Sequence, residues 1–158
     1  MRDSQYDTDF YAWANAQAAL LRAGRLGDAD MENIAEEIES LGRSEKRKLI
    51  NRLAKLLVRL LEWQYPSGGR GSSWRTRIRL RRFAIEDRLR DNPSLEAQMP
   101  ELLQRAHRCA ALKAAVNTKL PASTFAASGE WSLVQIMNPD FWPDGPDEKE
   151  VPHARQQI

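Results

Sequence analysis

Arg75, Arg77, Arg79, Arg81 and Arg82 fall within eight residues of the stretch "SWRTRIRLRR", with no acid among them. Five planar, permanently charged forks this close together suit two chemistries. They can bind the phosphates of a nucleic-acid backbone, or they can fork onto carboxylates elsewhere in the same chain. A second basic row, Lys48, Arg52, Lys55 and Arg59, recurs at spacings of four, three and four, which puts it on one face of a helix. The two rows together are the candidate charged interaction surface. If they face the same way they form a polyanion groove, and Trp74 could then stack on a base.

The carboxylates for the second chemistry exist. Glu32, Glu36 and Glu39 share one helical face, which Arg43 continues. Glu37 sits beside Ile34 and Leu41 at the edge of an apolar stripe, so it is the candidate buried acid. A buried carboxylate needs a partner, and an arginine from residues 74–90 is the expected one. Pairing within the chain is the favoured reading of the arginines. Phosphate binding is the second, because a basic helical face is more often simply solvated.

Other chemistries find no residues to carry them. A carboxylate-bridged di-iron site wants paired Glu-x-x-His motifs. The chain has two histidines, His107 and His153, and only His153 has a Glu three residues before it, near the C-terminus. One cysteine and two histidines cannot close a four-ligand zinc site. Helical nucleases of the type Arg-x4–6-His find no match, since positions 100 to 102 before His107 are Pro, Glu and Leu. Cys109 lies two residues from His107, on a different face of any helix. "SGGRGSS" has glycines but no phosphate-loop lysine and does not follow a strand. No catalytic residue, cofactor or metal ligand is nominated.

The elements that must position these residues are legible from punctuation. Gly and Pro divide the chain into helices over about residues 7–23, 30–65, 73–90 and 94–119, with Pro100 splitting a short lead-in from the last. The second is the longest, about 50 Å at 1.5 Å per residue. Its first part places Ile34, Ile38 and Leu41 on one face. Its second part, "KRKLINRLAKLLVRLLEWQY", is apolar over a much wider arc, as expected of a central bundle helix. In the arginine-rich segment Trp74, Ile78, Ile85 and Leu89 form an apolar stripe at helical spacing. "SLVQIMN" reads as a short fifth helix, and "NPDFWP" as a segment that Trp142 staples to the bundle.

Charge is unevenly spread. Residues 1–44 hold nine acids and four bases, and residues 45–92 hold five acids and fourteen bases, within an overall net charge of +2. The longest stretch without a charge has twelve residues, too short for a membrane span. No secretory signal is visible, and the single cysteine excludes an intrachain disulfide. A cytoplasmic location is expected.

Six blocks stand in order: "YDTDFYAWANAQAALLRAG", "MENIAEEIESLGRSEKRKL", "LLEWQYP", "SWRTRIRLRR", "NPSL" and "MNPDFWP". Over residues 6–143 they resemble the bacterial domain-of-unknown-function family 29. The resemblance implies an all-helical fold and brings no activity, cofactor or site residues with it. The chain departs from the family pattern at Arg59, where relatives often have His.

The expectation is an all-α fold: an antiparallel helical bundle of four main helices with one long central helix, plus a short C-terminal helix. Residues 1–143 form one domain and residues 144–158 a polar tail. The expected function is non-enzymatic, a protein–protein interaction domain with an unknown protein partner and room for a homodimer. The alternative is a nucleic-acid-binding accessory protein using the basic face, with weak, nonspecific affinity. An enzyme with an unrecognised Glu/Arg site ranks third.

Overall fold

The computed structural model describes residues 4–65 and 72–143; the expected tail and the 66–71 part of the Pro-Ser-Gly loop lie outside the described residues. Among the described residues every regular element is helical. In chain order they are α1 (Gln5–Thr8), α2 (Phe10–Arg22), α3 (Met31–Gln64), α4 (Ser72–Asp91), α5 (Met99–Thr118) and α6 (Leu133–Met137). Tight 3-10 turns occupy Leu26–Asp28, Pro93–Gln98 and Ala122–Glu130. The fold is all-α with four main helices, and α3 is the long one.

Local chemistry explains the boundaries. Asp9 caps α2 by accepting from the Ala12 amide at 3.0 Å. Gly24 ends α2 at φ +70, a conformation that suits glycine, and the Gly24 and Arg25 amides close back onto Leu21 and Leu20. Pro100 falls in the first turn of α5, where its missing N–H is no loss, and its lead-in is the 3-10 turn 93–98. Ser132 and Gln135 form a reciprocal capping box on α6. Residues 122–130, which read as loop, are a 3-10 turn covering α5.

By its contacts the chain falls into two compact units, Met1–Glu45 and Lys46–Ile158, with the boundary inside α3. The helix itself runs unbroken through Gly42. In the first unit α2 lies antiparallel to the start of α3. Tyr6 donates to Glu37 Oε1 at 2.5 Å, and the Trp13 indole donates to Asp30 Oδ2 at 3.1 Å. Tyr6 meets Phe10 and Trp13 edge-to-face and Phe10 lies tilted against Trp13, but Trp13 is the one apolar side chain there that is buried among the described residues. Ile38 and Leu41 are 64% and 69% exposed. The expected apolar face of early α3 therefore lies open, because α1 and α2 contact Glu37 of α3 and Asp30 just before it instead.

In the second unit the wide apolar arc of α3 is the core. Leu49, Leu53, Leu56, Leu57, Leu60 and Leu61 are buried together with Ile78 and Ile85 of α4. Arg52 of α3 reaches the Ala84 carbonyl while Arg59 reaches back to Trp74, so α4 runs antiparallel to α3. Lys46 pairs with Glu101 and Glu62 with Asn117, so α5 runs parallel to α3. This is an up-down-up arrangement. α5 contributes Ala106, Ala110 and Ala114, whose small side chains let it approach closely.

Candidate functional site

The structure disperses the nine basic residues of the expected surface. Arg82 is the clearest correction. It is 4% exposed, on the same side of α4 as Ile78 and Ile85. Its guanidinium donates to the carbonyls of Ile136 at 2.7 Å, Phe141 at 2.8 Å and Pro139 at 3.4 Å. Burial, and then the nearby charge of Arg79, hold it below the usual arginine range; an arginine nevertheless stays charged. At 100° per residue Arg82 falls only about 40° from Ile78, at the edge of the apolar stripe, so a helical wheel could have placed it inward. Carbonyls rather than carboxylates satisfy it.

Three more are engaged in packing. Arg75 lies over the rings of Trp63 and Trp142, which stack at 4.6 Å, so "NPDFWP" is indeed stapled to the bundle. Arg52 donates to Ala84 O at 2.7 Å. Arg59 covers a face of Trp74 at 4.8 Å while the indole N–H donates to the Arg59 carbonyl at 3.3 Å. That face of Trp74 is occupied by the guanidinium and does not stand free for a base. Arg77 and Arg79 are exposed on α4, and Lys48 is exposed on α3.

Glu37 is half-buried, and its partner is the Tyr6 hydroxyl in place of the expected arginine. The chain entering α2 puts a phenol against it, a contact no periodicity reveals. That shared proton, followed by burial, pushes the Tyr6 hydroxyl up to about 12. Glu36 and Glu39 pair with Arg43 on their own helix at 2.7 and 3.7 Å. Asp30 is held below its ordinary value mainly by hydrogen bonding from Asn33, with further help from Trp13 and opposed by burial.

Lys55, Arg59 and Arg81 do converge. They border a groove of about 410 Å³ in the second unit, together with a set that sequence reasoning missed. That set comes from α5: Leu112, Lys113, Val116 and Asn117. The signal was present in the alanines. With Ala106, Ala110 and Ala114 facing inward, the bulkier Leu112 and Val116 must face out, and they are 64% and 78% exposed. Val58 of α3 forms the floor. Glu62 orders the rim, pairing with Arg59 at 3.4 Å and accepting from the Asn117 amide at 2.6 Å. Four basic residues and an apolar wall thus line one open groove, and no carboxylate is among its lining residues.

His107 contacts the Phe125 carbonyl through Nε2 at 3.0 Å and packs against Gly129, which assigns it to holding the 122–130 turn. Among the described residues no group of three or more His, Cys, Asp or Glu side chains is arranged to hold a metal ion. No helix among them is long and apolar enough to cross a membrane.

Among the described residues the chain is all-helical, with Arg82 buried beneath residues 136–141. Residues 5–142 match the family model described as domain of unknown function DUF29. The chain belongs to this family. No curated protein and no solved structure matches it significantly.

Proposed function

We propose that the protein is a non-enzymatic protein-interaction domain that docks its partner on the N-terminal helical hairpin. The observation that carries this reading is the open apolar row on early α3. Met31, Ile34, Ile38 and Leu41 recur at spacings of three, four and three, and all but Ile34 are more than half exposed. A helix face of this kind is costly to leave in water and is the usual mark of a binding surface. The excess of acids over residues 1–44 favours a partner whose apolar helical face is flanked by basic residues. Nucleic-acid binding is the weaker reading. Arg52, Arg59, Arg75 and Arg82 are engaged with carbonyls and rings of this chain.

Affinity capture from cell extract with the full chain, comparing wild type with Ile38→Glu/Leu41→Glu, tests the reading. The wild type should retain a defined protein that the double variant loses, with both melting alike, and the identified protein should then bind the purified wild type directly. Capture dominated by salt-sensitive nucleic acid and unchanged in the variant would overturn it.

A further inference from the structure

We infer that the groove between α3, α4 and α5 binds a phosphomonoester, or an equivalent dianionic oxyanion, that carries an apolar body. The site lies wholly within the second unit and is independent of the hairpin reading. Its volume, about 410 Å³, is in the range of small-molecule sites.

The chemistry follows from the lining. Lys55 and Arg59 lie one helical turn apart on α3, Arg81 comes from α4 and Lys113 from α5. Three separate helices therefore contribute basic side chains to the lining of one concavity, which a merely solvated basic face does not require. Arg59 is the organised member. Trp74 lies against its guanidinium and Glu62 holds its Nη1, so the fork is fixed before a ligand arrives. Fixing a planar donor in advance reduces the ordering cost of binding. Counting Glu62 against Arg59, the groove still carries an excess of positive charge, which suits a dianion better than a monocarboxylate. The apolar wall then specifies the remainder of the ligand. Leu112 and Val116 stand one turn apart and mostly in water, and a bare anion would leave them there. A ligand with an alkyl or flat apolar body covers them while its oxyanion meets the cations. Phosphomonoesters of this description occur both as soluble nucleotides and as lipid headgroups, so the test contains both.

The full chain is titrated, with amide chemical shifts or calorimetry as readout, against n-octyl phosphate below its micelle concentration, against inorganic phosphate and against n-octyl glucoside. Octyl phosphate should saturate a single site at least tenfold more tightly than either control, with the largest shifts in α3, α4 and α5. Arg59→Gln and, separately, the exposed Lys113→Gln should each weaken it several-fold; the lysine variant keeps the test valid should loss of Arg59 disturb the fold. Adenosine monophosphate and vesicles containing phosphatidic acid identify the source, and Arg59-dependent binding of either supports the site. The inference is overturned if octyl glucoside or inorganic phosphate binds as well as octyl phosphate, or if neither variant weakens binding. It is equally overturned if a random DNA duplex outcompetes octyl phosphate and Arg77→Gln/Arg79→Gln reduces binding as much as Lys113→Gln, which would put the anion on the open arginine ridge.

Discussion

Arg82 shows how far one residue's role depends on its place on a helix. It lies in a run of arginines that reads as a surface, yet three backbone carbonyls of residues 136–141 depend on it. Arg82→Gln should therefore lower stability by about 2–3 kcal/mol, since buried hydrogen bonds to a charged donor are lost and acceptors are stranded. Lysine should not rescue it, because an ammonium cannot reproduce the fork. The exposed Arg77→Gln should stay within about 0.5 kcal/mol. Urea melts of the three variants check this, and equal effects would contradict the assignment. Two acid–base groups in the hairpin supply a second prediction. The Tyr6 hydroxyl is raised from 10.0 to about 12, so the folded hairpin keeps a proton that the unfolded chain releases. Its contribution is fully present below pH 10 and drains away as pH rises toward about 12. Asp30 is lowered from 3.8, so its contribution is present above that value and is lost as pH falls through the folded one. Urea unfolding followed by circular dichroism against pH should show the hairpin most stable between the two limits. In Tyr6→Phe the alkaline loss should disappear while the acid limb remains.

At the scale of elements, α3 is one helix with two kinds of side chain environment. Its second half packs the core, and Leu53→Ala should cost about 2–5 kcal/mol through lost burial and a cavity. Its first half lies open, so Ile38→Ala and Leu41→Ala should each stay within about 0.5 kcal/mol. Thermal unfolding of the three variants makes the comparison, and a large loss at Ile38 would mean that this face is packed. Gly42 offers a further check. It lies inside the helix, and a Cβ added there would meet nothing within 4 Å. Gly42→Ala should stabilise by about 0.4–1 kcal/mol by restricting the unfolded chain. A destabilised variant would contradict a continuous helix through this position. How much of this was legible follows from the patterns themselves. The leucine arc of α3, the cap and stop residues and Pro100 all announce themselves through spacing. Arg82 was legible in its phase but hidden by its charge. The open face of Ile38 and Leu41 was not, because periodicity identifies a stripe without saying what covers it. The α5 wall was obscured because Leu112 and Val116 look like core, while the true buried face is built of alanines.

For the molecule as a whole, charge is partitioned between a mainly acidic first stretch and a basic middle. The basic residues of the expected surface serve different ends according to where their helices put them. Arg75 and Arg82 tie down the aromatic segment at residues 136–142, Lys55, Arg59 and Arg81 border a groove, and Arg77, Arg79 and Lys48 are exposed. Glu37, Asp30 and Glu36 likewise find partners close by, in Tyr6, Asn33 and Arg43. Docking of a protein on the hairpin's open apolar row is tested most directly by a photo-crosslinking amino acid. Placed at position 41 in the full chain in cells, it should give one discrete protein adduct that Ile38→Glu abolishes. Placed at the exposed position 86 of α4, it should not. No adduct at position 41, or the same pattern from both positions, would contradict the account.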